Sequence, residues 1–410
     1  MGSKNNISIT FALALASMTL SGCAVVNMRN APPNGLVAAQ AVIPGIPAAR
    51  FWGDKIPQNV IAGIRAAMPH AGPPAYHVSP RTGRLTVDLL ALSGGGGDGA
   101  FGAGLLAGWS ARGSRPKFEI VTGVSAGAII APLAFLGPRY DRKLKKIWTK
   151  YSADDLVTTN YVAGLLGGTA LADTTPLANL IAKYVTRNFL REIAAAYRKG
   201  RLLLIGTTNL DAQRPVIWNM GEIAVSSSPH ALALFRKVIL ASAAVPAAFP
   251  PVRIRVGDGN GNYFDELHVD GGVTKQVFIG PPQLDLRALD GLYPSPPLRR
   301  VFIVKNGKLV PEFTPVQPNT IKISTRSIET LIKYQNKGDI YQIYRKARDA
   351  GAEFHLTAVP ANFAVKNQHV WDTTYQAALY KTGFAMGRSG KAWTNRPTTL
   401  PRQANSRPQG

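Results

Sequence analysis

The sequence predicts an α/β protein: a mostly parallel central sheet with helices on both faces, a three-layer α/β/α sandwich, followed by a C-terminal helical extension. Three observations lead there. Short apolar runs such as Leu85–Leu92 stop abruptly at glycine, as buried strands do where they feed a turn. Such runs alternate with segments of helical length and composition. The alternation repeats through the middle of the chain, which is the rhythm of strand–crossover–strand units.

The elements follow in order. Residues 23–80 read as a Pro-rich tether and extension with one helix near Val60–Met68. Strand Leu85–Leu92 feeds Gly94–Gly97, and Ala100–Trp109 fits a helix. Phe118–Thr122 reads as a second strand and Ala126–Leu136 as an apolar helix behind it. Phe189–Arg198 then reads as a helix, Arg201–Thr207 as a strand, Ala231–Ala243 as a helix, and Glu266–Val269 and Arg299–Val304 as strands. Helix Ile328–Ala347, strand Glu353–Val359 and helix Thr373–Met386 complete the pattern. The core domain is placed at 81–312, its C-terminal part at 313–388, and a basic disordered tail at 389–410.

Of the 410 residues, 46% are hydrophobic and 17% charged, enough apolar material for a substantial core, which excludes a fully disordered or collagen-like chain. A single cysteine excludes an intramolecular disulfide and a Cys-rich zinc or iron–sulfur site. No His/Cys/Asp group has ligand spacing and no EF-hand pattern occurs, so neither metal nor cofactor is expected.

That cysteine, Cys23, follows Lys4, an apolar run Ile7–Leu20, and the small residues Ser21 and Gly22. The run is short for a bilayer span and reads as an export signal over 1–22. Leu20-Ser21-Gly22-Cys23 resembles the lipobox of bacterial lipoproteins. The resemblance implies lipidation of Cys23 and, because Ala24 is not Asp, an outer-membrane lipoprotein facing the periplasm. The formal charge of +24 favours an anionic surface. Export makes nucleic acid an improbable partner and acidic lipid the better one; no protein partner is indicated. Within Pro138–Lys150, the cations Arg142, Lys143, Lys145, Lys146 and Lys150 surround Leu144, Ile147 and Trp148. This is either an interfacial helix with Trp148 at headgroup depth or a solvated helix face over three core residues.

Three motifs carry chemistry. Gly123-Val124-Ser125-Ala126-Gly127 is a G-x-S-x-G between a strand and an apolar helix. A sharp turn there needs the glycines and leaves Ser125 exposed at a helix N-terminus; the plain alternative is an N-cap serine. Ser93-Gly94-Gly95-Gly96-Gly97-Asp98-Gly99 lets backbone N–H groups converge on an oxyanion or a phosphate. Gly97-x-Gly99-x-x-Gly102, with Glu119 beyond it, also spells a dinucleotide fingerprint, but Asp98 would then sit beside a pyrophosphate. Asp270-Gly271-Gly272 puts a carboxylate at a strand end, although Asp-Gly turns are common.

In this order the motifs resemble the patatin-like phospholipase family. Asp173-Thr174-Thr175-Pro176-Leu177, Thr207-Thr208-Asn209-Leu210-Asp211 and Ala241-Ser242-Ala243-Ala244-Val245-Pro246 support the likeness, which spans about Leu85–Gly307. It implies a serine acyl hydrolase of lipid esters. Ser125 would be the nucleophile, Asp270 its base, and the N–H groups of Gly95, Gly96, Gly97 and Ala126 the oxyanion hole. Gly94, Gly99, Gly123, Gly127, Gly271 and Gly272 would shape the turns. Many family members carry Arg or Lys where this chain has Asp98, which would not hold an oxyanion unless its side chain turned away to cap the helix at Gly99. That departure supports the rival reading, a non-catalytic envelope lipoprotein using the fold to bind lipid. Of six histidines, only His355 and His369 follow Asp270, and neither lies in a catalytic motif, so a Ser–Asp dyad is preferred to a triad.

Overall fold

The structure, a computed structural model, describes residues 29–397 apart from 81, 153–154, 156–157, 160–171, 247 and 368–370. Residues 1–22, Cys23, His369 and positions 398–410 lie outside the described residues.

The elements begin with α1 (Gly35–Gln40), β1 (Arg50–Trp52), α2 (Val60–Ala67) and β2 (His77–Val78). Next come β3 (Leu85–Leu92), α3 (Gly99–Ala111), β4 (Ile120–Gly123), α4 (Ala126–Leu136) and α5 (Asp141–Lys150). A two-strand ladder of β5 (Thr158–Thr159) and β6 (Ala172–Asp173) precedes α6 (Thr175–Tyr184) and α7 (Arg187–Tyr197). The chain continues with β7 (Leu202–Asn209), β8 (Arg214–Asn219), α8 (Met220–Val225), α9 (Ala231–Ser242), β9 (Val252–Gly257) and β10 (Tyr263–Asp270). It ends with β11 (Leu298–Lys305), α10 (Thr320–Asp349), β12 (Glu353–Ala358) and α11 (Thr373–Ser389). Several helices start at side-chain caps: Asn59, Thr186, Asn319 and Asp372 each accept a first-turn N–H.

The main sheet runs β1-β8-β7-β4-β3-β11-β12, with β2 on β3, and β10 joining β7 to β9. The strands from β7 to β12 along this order are parallel, forming the predicted core. Alternate residues serve opposite faces, as the pleat requires. Leu90 and Leu92 meet α3 and α4, whereas Leu89 and Ala91 meet Ile340, Ile343 and Ala347 of α10. The contact of α3 with α11 is close enough that a side chain at Gly104 would strike Tyr380 O and one at Gly383 would strike Phe101 O.

The antiparallel additions go beyond the sequence reading. β1 and β8 extend one edge, and β10, read only as a strand, is antiparallel to β7. Because β8 occupies one edge of β7 over Leu204–Asn209, β4 and β10 must share the other. β4 pairs with Leu202–Ile205 and β10 with Thr207–Asn209, so the two strands meet tip to tip. Gly123 faces Ile205, Asp270 faces Thr207, and only Gly206 lies between.

One open choice is decided, for the solvated helix face over core residues, and two local expectations change. Trp148 is fully buried and stacks on Trp371 at 5.4 Å, so it is a core residue and does not sit at headgroup depth; only the cations of α5 face outward. The start of α10 precedes Ile328 by eight residues, where Asn319 accepts Lys322 N–H and caps the first turn. Residues 391–397 are tied down where a disordered tail was expected: Trp393 packs on Trp109 at 4.9 Å, and Thr394 exchanges backbone hydrogen bonds with Leu356. No helix among the described residues is long and apolar enough to cross a membrane.

Candidate active site

The site is assembled at the C-terminal ends of β3 and β4 and at the tip of β10. In open parallel sheets this is the edge where ligands bind. Ser125 follows β4 directly and adopts φ 55° and ψ −123°, a left-handed conformation that a non-glycine residue holds only under constraint. The constraint is visible. Gly123 and Gly127 back onto each other, and Gly127 presses on Leu92 O, so a Cβ at either would collide with backbone. Ser125 N–H donates to Ser242 Oγ at 3.0 Å, and Ser242 Oγ–H donates to Gly206 O at 2.6 Å. Ser242, at the end of α9, therefore ties the serine turn to the residue separating the two strand tips.

Asp270 stands across that junction. Its Oδ1 accepts Gly272 N–H at 2.7 Å, while Oδ2 is buried with no conventional hydrogen bond. Burial pushes the carboxyl up to about 7, against the opposing pull of the Ser125 hydroxyl and Gly272 N–H. The Ser125 hydroxyl is thus close enough to stabilise the ionised carboxylate, although the pair does not reach ordinary hydrogen-bond geometry. Gly271 is required because a Cβ would strike Gly206 O, and a Cβ at Gly272 would strike Gln276 Nε2.

The Gly-rich loop leaves β3 beside Ser125; a Cβ on Gly94 would lie 3.0 Å from Ser125 Cβ. Gly94 N–H is taken by Gln276 O at 3.1 Å. No described residue accepts from the N–H groups of Gly95, Gly96, Gly97 or Ala126, whereas Gly127 and Ala128 N–H return to Val124 O and Ser125 O. The four predicted donors thus remain available. Gly95 has φ 157° and lies against Asn306 O, and Gly96 has φ 53°. Gly99 and Gly102 make room for the Trp148 ring and Asn306 Oδ1, which is a packing role. Glu119 sits at the opposite end of the strands, accepting Asp88 N–H at 2.6 Å, so the dinucleotide pattern is not assembled.

Sequence reasoning missed the residues that hold this loop. Asn306, just beyond β11, donates through Nδ2 to Ser93 O at 2.7 Å and accepts Gly102 N–H at 3.2 Å. Gln276 links two motifs: its carbonyl accepts from Gly94 and its Nε2 donates to Gly272 O at 3.0 Å. Asp98 turns away from the loop, but not to cap α3. It accepts the Tyr375 hydroxyl at 2.7 Å near Lys305. Burial raises the Asp98 carboxyl and lowers the Lys305 ammonium to about 8.

Histidines stand apart. His268 is buried on β10, bonded to Thr207 Oγ1 at 3.0 Å and to Glu266 at 3.0 Å, with Arg50 of β1 pairing with Glu266. His355 stacks on Phe302 at 4.5 Å. None of the described histidines hydrogen-bonds Ser125 or Asp270. One acidic cluster was not foreseen. His77, Asp88 and Glu119 converge at the far end of the strands, but Arg300 holds Asp88 through two 2.6 Å bonds. An apolar cavity of about 540 Å³ between α2 and the sheet also lies at that end and includes neither Ser125 nor Asp270.

A strained serine at a strand–helix turn, N–H donors beside it and a buried carboxyl across a strand junction are the parts that a nucleophile elbow brings together. Residues 90–281 match the family model described as patatin-like phospholipase, and the chain carries a domain of that family. At the level of the family, this supports lipid ester hydrolysis. Similar solved structures include VipD from Legionella pneumophila, at 11% identity and a TM-score of 0.35, covering 78% of this chain and 70% of that one. The type III effector protein ExoU is similar at 14% identity and a TM-score of 0.31, covering 78% of this chain and 54% of that one. The chain thus spans about half the length of ExoU. No curated protein matches the sequence.

Proposed function

We propose that this chain is a serine acyl hydrolase that cleaves carboxylic esters of lipids through a Ser125–Asp270 dyad. The observation that carries the reading is the junction at Gly206, where a serine in a strained turn faces a buried carboxyl raised to about 7. Ionised Asp270 takes the Ser125 proton as Oγ bonds to the ester carbonyl carbon. The developing oxyanion accepts from the N–H groups of Gly95, Gly96, Gly97 and Ala126. The ester C–O bond then breaks and Asp270 returns the proton to the leaving alcohol. Water attacks the acyl-serine, again giving a proton to Asp270, which passes it to Ser125 Oγ as the acyl C–O bond breaks; the released acid ionises to the carboxylate.

The orientation of Asp98 toward Tyr375 removes an anion from the space in front of the loop, which supports catalysis despite the missing loop cation. The +24 charge and the outward cations of α5 support an anionic membrane surface as the place of action. Export through residues 1–22 and lipidation at Cys23 would hold the enzyme at the periplasmic face of an outer membrane. Hydrolysis of a short-chain fluorogenic ester by purified protein and by Ser125→Ala tests the chemistry. Turnover by the wild type and its loss in the variant is expected; equal turnover in both would overturn the reading. Lipid profiling of the same pair identifies the ester cleaved.

A further inference from the structure

Several large apolar side chains are exposed together on one arm of this protein. Between β11 and the middle of α10, residues 311–331 are almost wholly exposed, although the stretch contains large apolar side chains. Phe313 is 94% exposed, Leu331 70% and Tyr334 59%, with Val316, Ile323 and Ile328 also open. Ile328 and Leu331 are three apart and share one helix face. The arm has internal structure. Lys308 and Lys333 both pair with Glu312, at 3.1 and 3.0 Å, and Arg326 donates to Glu312 O. The loop is therefore strapped along the helix with its apolar side chains left outside. Three unsupported helical turns would be marginal in water, because helices gain most of their stability from packing an apolar face.

The charge around these side chains is positive. Lys322 pairs with no described carboxylate, and Lys337 lies over the Tyr334 ring at 4.7 Å. Apolar side chains flanked by cations suit the boundary between anionic headgroups and acyl chains, where the former insert and the latter meet phosphate. The arm is continuous with elements that hold the site. It leaves β11 immediately after Asn306, which holds the Gly-rich loop, and Lys308 and Glu312 lie within electrostatic reach of Asp98. Further along α10, Asp339 accepts Gln276 N–H at 2.8 Å.

We infer that the 308–334 arm is a membrane-docking surface that inserts Phe313, Ile328 and Leu331 into an anionic bilayer and sets the Ser125 site against it. The inference rests on the proposed lipid hydrolase only for the meaning of that orientation; the binding itself is independent of catalysis. The test uses the full chain carrying Cys23→Ser, so that no lipid at residue 23 contributes. It is floated with vesicles of phosphatidylethanolamine containing one quarter phosphatidylglycerol, and with pure phosphatidylcholine vesicles.

Co-flotation with the anionic vesicles, and much less with the neutral ones, is expected. Phe313→Ser with Leu331→Ser should lower the bound fraction about tenfold or more while leaving hydrolysis of a soluble short-chain ester unchanged. Lys322→Glu, a surface change that does not disturb the arm, should weaken binding to anionic vesicles alone. Equal binding to both vesicle types, or binding unaltered by the double substitution, would overturn the inference. So would a wild-type dimer that ignores vesicles and becomes monomeric in the double variant, which would make the arm an interface between copies. Loss of ester hydrolysis with flotation intact would count against the hydrolase reading and leave the docking surface standing.

Discussion

Asp270→Asn should separate the two consequences of burying this carboxyl. In the unfolded chain the group titrates near 3.8, and in the native state near 7. The native protein therefore binds more protons than the unfolded chain between those values, and its stability falls as pH rises through that window. The difference of about three units corresponds to roughly 4 kcal/mol of penalty on the ionised form. Asparagine cannot ionise and keeps an oxygen for Gly272 N–H. The variant should match wild type in stability at pH 4 or below and exceed it by up to about 4 kcal/mol above pH 8. Activity should move the other way. Only the carboxylate can accept the Ser125 proton, so wild-type kcat/KM should rise with pH through an apparent pKa near 7. The variant should lose on the order of 10²- to 10⁴-fold in kcat. Urea unfolding of both proteins from pH 4 to 9, with the pH–rate profile on a soluble ester, reads both effects. A wild-type limb near pH 4, the same limb persisting in the variant, or a pH-independent stability difference would refute the assignment of Asp270 as the buried base.

Arg50→Met should leave Glu266 buried without its cation and cost about 3–5 kcal/mol by denaturant unfolding, because both side chains are almost completely buried. Gly95→Ala should abolish most ester hydrolysis at near-native fluorescence and circular dichroism, since the new Cβ would push the loop off Asn306 O. Ser242→Ala removes the acceptor of Ser125 N–H and the donor to Gly206 O, and should lower kcat by about one to two orders of magnitude, with KM for a soluble ester little changed. Asp98→Asn should retain kcat within a few-fold, because Asp98 faces Tyr375 and not the loop N–H groups; a large loss would give Asp98 a direct part in the reaction.

The parts of the site readable in the sequence are those whose chemistry is local. Gly123-x-Ser125-x-Gly127 encodes a turn within five residues, and the loop from Gly94 encodes its own backbone freedom. Asp270 was readable only as a carboxylate at a strand end. The way it reaches Ser125, through β10 running antiparallel to β7, depends on a pairing between residues about 60 apart in the chain. Gln276 and Asn306 carried no signal for a similar reason, and Ser242, although within a stretch that supports the family likeness, gave no sign of its bonds to Ser125 and Gly206. Asn306 bonds Ser93 across 213 residues, and the Gln276 carbonyl accepts from Gly94, so neither role shows in its own neighbourhood. Trp148 shows the converse difficulty. Beside five cations it fits an interfacial helix or a core position equally, and the space that decides between them is made by Gly99 and Trp371, which no window around α5 contains. The start of α10 was hidden because Ile323 and Ile328 are exposed and belong to no buried stripe.

The strained serine and the elevated carboxyl have one structural origin. Ser125 in a left-handed turn costs on the order of 1–3 kcal/mol, and ionising Asp270 costs roughly 4 more. Neither would persist at a free strand end, where the turn could relax and water could reach the carboxylate. Both persist here because β4 and β10 end against the same strand with a single residue between them. The ladder to β7 fixes each tip, Ser242 binds the turn to Gly206, and Arg50 with Glu266 and His268 holds β10 from the far edge of the sheet. An aspartate at its ordinary pKa is a poor acceptor for a serine proton at neutral pH. The junction that buries Oδ2 raises the Asp270 carboxyl, which in the proposed mechanism lets it act as base without a histidine. The same junction brings the Ser125 turn beside it, so the proposed nucleophile and base are set by a single packing arrangement.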